Sequence, residues 1–230
     1  MCRAPREPSS DLPVAVSDNP TVPRIAVVDH GTGNLTSLIR ALSLAGAEAE
    51  RTADGKVIAA ADALVLPGVG AFPKAMDSIK LLGLTGPIQE FVSSEKPLLG
   101  VCLGMQLLFD GSEEHGGAVG LGIIDGSVVK LEAQGERLPH IGWTAVDWSR
   151  KHALNTGLPN PTAMYHVHSF VAQPKVQSDI LATATHGNEF VTAVAREHVV
   201  GVQFHPEKSS RDGLGMISNF VRWVAKGELA

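Results

Sequence analysis

From Arg24 onward the chain alternates short apolar runs with segments whose apolar residues recur every three or four positions. The run Ile25 to Val28 meets a turn at Asp29 to Gly33, then a helical segment from Leu35 to Ala45 closed by Gly46. A second run, Ala63 to Leu66, passes into Pro67-Gly68-Val69-Gly70, with helical stretches following at Ala75 to Leu82 and Pro87 to Ser93. The third, Pro97 to Val101, meets Cys102 and opens a helical segment over Leu103 to Phe109. Strands that are apolar at every position need cover on both faces, which a parallel sheet flanked by helices supplies. The first half therefore predicts an open, mainly parallel α/β sheet with helices on both faces.

The second half carries shorter strand-like runs at Ser127 to Leu131, Ile141 to Asp147, Met164 to Phe170, Ile180 to Thr185, Phe190 to Ala195 and Val199 to Phe204. These predict antiparallel additions to the sheet. A last helix, about Asp212 to Trp223, puts Ile217, Phe220, Val221 and Val224 on one face for packing against it. Residues 1–23, with Pro5, Pro8, Pro13, Pro20 and Pro23 among polar residues, show neither period and form an expected flexible extension. Residues 24–230 then make one domain.

Composition narrows the function. With 44% apolar and 19% charged residues the chain has the makings of a globular core, and its net charge of -5 offers no basic stripe for nucleic acid. No run approaches the ~20 apolar residues that span a bilayer, and the N-terminus lacks a secretory signal, so a cytoplasmic location without membrane attachment is expected. Two cysteines, Cys2 and Cys102, do not make a disulfide framework and fit a reducing compartment.

Cys102 stands in Gly100-Val101-Cys102-Leu103-Gly104, between an apolar strand and a helical segment. A nucleophile elbow strains the backbone at the reactive residue and brings strand and helix together, so its flanks must be small. At a helix start, the dipole and free N–H groups favour a thiolate. The competing possibility is a small buried hydrophobe, the usual fate of an unpaired cysteine. A thiol hydrolase also needs a base and a group to orient it. Gly201-Val202-Gln203-Phe204-His205-Pro206-Glu207 offers both, with His205 at a strand end and Glu207 within reach of the far imidazole nitrogen. Taken alone, His-Pro-Glu is also an ordinary surface turn; paired with an elbow it is a candidate relay.

Together, Gly100 to Gln106 and Gln203 to Glu207, about a hundred residues apart, resemble the paired signatures of class I, triad-type glutamine amidotransferases. Within that family, Asp29 to Asn34, Pro67 to Phe72, Pro139 to Trp143 and Val167 to Phe170 resemble the glutaminase subunits of imidazole glycerol phosphate synthases. The similarity covers roughly Ile25 to Val224. It implies that Cys102 attacks the glutamine amide to give a glutamyl thioester, that His205 protonates the departing ammonia and that Glu207 orients His205. It also implies an oxyanion and substrate site made by Gly68, Val69, Gly70, Leu103, Gln106, Ser169 and Phe170.

No synthase domain is visible. The resemblance implies a separate (β/α)-barrel synthase partner in a heterodimer, faced by Asn34, His140, Trp143 and Lys208, in histidine biosynthesis. No cofactor and no metal are implied. His30 stands where an aromatic is usual and Thr144 where Asn is usual, which bears on local contacts rather than the triad. The rival expectations are a glutaminase serving another synthase, a stand-alone hydrolase, a thiol sensor, and a metal-binding module built on His166-x-His168 among the nine histidines.

Overall fold

The computed structural model describes residues 22–31 and 35–227, so nearly all of the Pro-rich extension, together with Asn34, lies outside the described residues. Strands β1 (Arg24–Val28), β3 (Ala63–Gly68) and β4 (Leu98–Cys102) are the apolar runs that predict them. Between the first two lie β2 (Glu48–Thr52) and the short helix α2 (Gly55–Ala60), neither of which the apolar pattern shows. Strand β2 is polar because it pairs only with β1 at the sheet edge, where most of its residues stay accessible. An edge strand needs no apolar run on both faces.

Helices α1 (Leu35–Leu44), α3 (Phe72–Leu81) and α4 (Thr85–Ser93) follow the periodicity closely. Helix α5 (Leu103–Leu107) is shorter than expected, because Phe109 already opens strand β5 (Phe109–Ser112). The two-residue β6 (Ala118–Val119) and β7 (Ile124–Lys130) follow. Next come β8 (His140–Trp148), β9 (Thr162–His168), β10 (Phe170–Pro174), β11 (Ile180–His186), β12 (Asn188–Arg196) and β13 (Val199–Val202), then α6 (Ser210–Lys226). The expected run Met164 to Phe170 is two strands broken at Ser169.

Among the described residues these strands form one 13-stranded sheet, ordered β2-β1-β3-β4-β13-β12-β10-β7-β5-β6, with β11 joining β12 to β8 and β9 completing the branch. The first five in that order are mutually parallel, and most of the remaining pairs are antiparallel. Strand β13 pairs antiparallel with β12, as expected, and on its other side lies parallel beside β4.

Alternation along β1 and β3 explains their composition. Ile25, Val27, Ala63 and Val65 pack into one core with α1 and α6, whereas Ala26, Val28, Leu64 and Leu66 pack into another with α3, α4 and α5. Each face buries apolar area worth about 25 cal/mol per Å², so no position on these strands is free to be polar. Because β3, β4 and β13 are parallel neighbours, their C-terminal ends converge on one edge, the usual crevice of an open α/β sheet.

Candidate active site

The register pairs Gly68 with Cys102 and Val202 with Val101, so the ends of β3, β4 and β13 bring the Gly-rich turn, the thiol and His205 together. Cys102 has φ 55° and ψ -112°, a conformation that L side chains rarely adopt. Its neighbours explain how the turn is tolerated. A Cβ on Gly104 would lie 1.7 Å from the Leu66 carbonyl oxygen, and one on Gly100 would come within 2.8 Å of the Met105 Cα. Helix α5 therefore rests directly on the strand backbones, and only glycine fits at both flanks.

Cys102 and His205 line one cavity; the thiol donates to the Val167 carbonyl at 3.8 Å, and His205 Nδ1 lies 3.0 Å from Glu207 Oε1. His205 is buried and its loop is pinned: its N–H donates to the Tyr165 carbonyl at 2.9 Å, and Ser209 Oγ donates to its carbonyl at 2.7 Å. Burial lowers the imidazole pKa, but hydrogen bonds and charge from Cys102 and Glu207 outweigh it and push the value up to about 9. At neutral pH His205 carries a proton beside the sulfur. That arrangement can return a proton to a leaving amine.

Glu207→Gln should lower the His205 pKa toward 6.5 and reduce kcat about 10- to 100-fold, read by histidine NMR and steady-state turnover. An unchanged titration would show that the carboxylate does not hold the ring.

A cavity of about 330 Å³ opens onto Cys102 and His205, lined also by Val69, Gly70, Leu103, Gln106, Ser169 and Phe170. Of the expected substrate residues only Gly68 is not a wall. It lies behind the turn, where an added Cβ would be 3.1 Å from Leu103 Cβ. A larger hollow of about 560 Å³ against β1 and β2 has neither thiol nor imidazole among its walls. The first N–H groups of a helix such as α5 find no partner within it.

Two residues given no role from sequence join the site. Gln203 Nε2 donates to Cys102 Sγ at 3.7 Å, while its Oε1 accepts from Gln106 Nε2 at 2.9 Å. Gln203 belongs to the recognised motif, and its position two residues before His205 on the same strand run is the available signal. Glu114 lines the cavity and accepts the Phe72 N–H at 2.7 Å. One of two adjacent acids in the polar stretch Glu113 to His115, it carries no periodic or motif signal.

The expected partner-facing residues divide. Trp143 is 55% exposed, with Ile141 at 60% on the same face of β8, and Lys208 is exposed at the mouth of the cavity. His140 requires correction: it is 4% exposed, because alternation along β8 turns it to the face opposite Trp143. There it meets His166, His168, His186 and Phe190. His166 and His168 bond to Met164, Thr192, His140 and Phe170, and no group placed to hold a metal occurs among the described residues. His30 is also buried and bonds the Pro67 carbonyl at 2.8 Å.

Burial holds His140 and His152 down at about 4 and His166 at about 3, and places His168 well below 6.5. The unfolded chain therefore binds more protons below pH 6.5. Stability from these groups is complete above 6.5 and is lost as pH falls toward 4, by up to about 1.4 kcal/mol per pH unit for each histidine. The raised His205 acts oppositely, stabilising below 6.5 and losing that contribution as pH rises through about 9, so it does not offset the acid loss. Urea midpoints measured from pH 7 to pH 4 should fall steeply, and a flat profile would contradict the burial of these rings.

A covered parallel sheet with a strained thiol at one strand end and a His-Glu pair at its neighbour defines a cysteine hydrolase of the amidotransferase type. The match of residues 26–223 to the family model for class-I glutamine amidotransferases agrees, and the chain belongs to that family. It is 45% identical over 85% of its length, and 93% of the relative's, to imidazole glycerol phosphate synthase subunit HisH of Moorella thermoacetica. The protein of the same name from Aquifex aeolicus is 42% identical, over 88% of this chain and 98% of its own. Among solved structures, a glutamine amidotransferase of Thermotoga maritima superposes with a TM-score of 0.66 at 15% identity. That match covers 88% of this chain and 98% of the other, and shows the shared fold.

Proposed function

We propose that this chain is the glutaminase subunit of an imidazole glycerol phosphate synthase, acting in histidine biosynthesis, with residues 24–230 as the glutaminase domain and 1–23 as an extension. One observation carries the chemistry: Cys102, held at φ 55°, shares a cavity with an imidazole whose Nδ1 rests on a buried carboxylate. The identity to the HisH subunits supports the choice of pathway.

In this reading the Cys102 thiolate adds to the carboxamide carbon of glutamine, and the oxygen takes the negative charge opposite the N–H groups of Leu103 and the Gly68 to Gly70 turn. His205 gives its proton to the nitrogen as the C–N bond breaks, releasing ammonia and leaving a glutamyl thioester. A water, losing its proton to His205, then hydrolyses the thioester to glutamate and restores the thiolate. Glu207 keeps the imidazole oriented throughout. Gln106 donates both amide hydrogens inside the protein, to Phe170 and Gln203, which leaves its Oε1 to accept from substrate.

Ammonia freed into water at neutral pH would be protonated and lost, so it passes to a separate (β/α)-barrel synthase in a cytoplasmic heterodimer. That partner joins it to a phosphorylated ribulosyl formimino nucleotide, giving imidazole glycerol phosphate and aminoimidazole carboxamide ribotide. The exposed Ile141 and Trp143, with Lys208 beside the cavity, supply an apolar anchor and a charge for that interface. Gly70, at φ 98° beside the 41% exposed Val69, lets the turn reorient its N–H groups when the partner binds nucleotide. The full chain should therefore hydrolyse glutamine at least about tenfold faster with a synthase barrel and its nucleotide than alone. Equal rates would remove the coupling, and no turnover in either condition would remove the glutaminase reading.

A further inference from the structure

From His168 on the cavity wall a chain of polar groups that the mechanism does not use runs back into β8. Thr144 Oγ1 lies 2.8 Å from His140 Nε2, His140 Nδ1 lies 3.0 Å from His168 Nε2, and His168 Nδ1 lies 3.0 Å from the Phe170 carbonyl oxygen. The direction of every bond follows from its last member. A carbonyl can only accept, so His168 must carry its proton on Nδ1, which makes its Nε2 an acceptor. His140 must then donate from Nδ1, leaving its own Nε2 to accept from the Thr144 hydroxyl. Both rings are thereby held as the Nδ1–H tautomer. Burial keeps both uncharged at neutral pH, as a donor-acceptor relay requires.

The Phe170 oxygen is also the acceptor of Gln106 Nε2 at 3.0 Å. One carbonyl on the cavity wall thus carries a donor from each side, with the histidine chain on one and the glutamine-facing amide on the other. The second hydrogen of that amide goes to Gln203, which donates in turn to the Cys102 sulfur. Such a network has only one self-consistent proton arrangement. Loss of a donor at its far end leaves a buried acceptor unpaired, at a cost larger than the net worth of the bond.

We propose that Thr144, His140 and His168 are positioning residues for glutamine binding, forming a one-way hydrogen-bond chain that fixes the Phe170 carbonyl and, through it, the orientation of Gln106. This rests on the glutaminase reading above. None of the three reacts with substrate. Their contribution is to preset the wall against which glutamine is held, so their loss weakens binding more than it slows the chemistry.

The test uses the full chain carrying Cys102→Ala, which separates binding from turnover, with L-glutamine titrated calorimetrically. Adding His168→Leu should weaken binding about tenfold. His168→Asn, whose amide nitrogen occupies the place of Nδ1 but which offers His140 no acceptor, should recover only part of that loss. Thr144→Val, which keeps the side-chain shape, should weaken binding about threefold or more, and Thr144→Ser should not. Nitrogen chemical shifts at pH 7 should show His140 and His168 protonated on Nδ1. A His168→Leu dissociation constant equal to the parent's would overturn the proposal, as would a Thr144→Val variant that binds as tightly as the parent. So would Nε2–H tautomers at both rings. If the Cys102→Ala parent does not bind glutamine and the wild-type chain does not hydrolyse it either alone or with the synthase barrel and its nucleotide, the glutaminase reading itself has failed.

Discussion

Cys102→Ala is expected to reduce glutamine hydrolysis by about 10⁴-fold or more while leaving the fold intact, because removing a nucleophile abolishes the covalent route and not merely part of its acceleration. The side chain is 5% exposed, and alanine leaves only a sulfur-sized gap, so the thermal midpoint should move by no more than a few degrees. A second readout is built into the site. The sulfur is one of the groups holding the His205 pKa at about 9, so the variant's imidazole should titrate lower. Turnover above about 1% of wild type would require another nucleophile and would dismantle the assignment of Cys102.

Gly104→Ala carries the largest expected stability effect. The added methyl would sit 1.7 Å from the Leu66 carbonyl oxygen, a backbone atom of the central strand β3 that cannot swing aside. Relief requires lifting α5 off the sheet, which opens the core around Met105 and Leu107 and disturbs Cys102 itself. A destabilisation of about 4 kcal/mol or more is expected, with loss of activity even in the folded fraction. Gly86→Ala is the matched control: it lies inside α4 with nothing within 4 Å of its added Cβ, so it should be neutral or stabilising by up to about 1 kcal/mol. Urea unfolding of the two variants gives the comparison. Equal midpoints would mean that strand and helix are not in contact at the elbow.

What the sequence discloses, and what it withholds, follows from where the physical signal resides. Strands β1, β3 and β4 are legible because two covered faces demand an unbroken apolar run. Edge strand β2 is not, since Glu48 and Glu50 can remain in water while the backbone pairs with β1. The break between β9 and β10 at Ser169 is hidden because the side chains on both sides of it continue a strand-like pattern. Short β5 and β6 are too brief to impose any period.

The elbow and the His-Pro-Glu turn can be found because each compresses its chemistry into a few adjacent residues. The histidine chain cannot, as it joins β8 to β9 across a separation of 28 residues and depends on antiparallel register between His140 and His168. The same register draws His140 away from the partner face that its motif suggests. Its neighbour Trp143 does point outward, and alternation along β8 separates the two.

The central claim is that glutamine becomes covalently attached to one sulfur. Wild-type chain mixed with L-glutamine and its activating partner, quenched in acid within the turnover time and digested, should yield a peptide spanning Cys102 heavier by one glutamyl group. The adduct should vanish on treatment with hydroxylamine and be missing from Cys102→Ala. Rapid glutamine turnover with an unmodified Cys102 peptide at every quench time, or a glutamyl adduct on any other residue, would contradict the account.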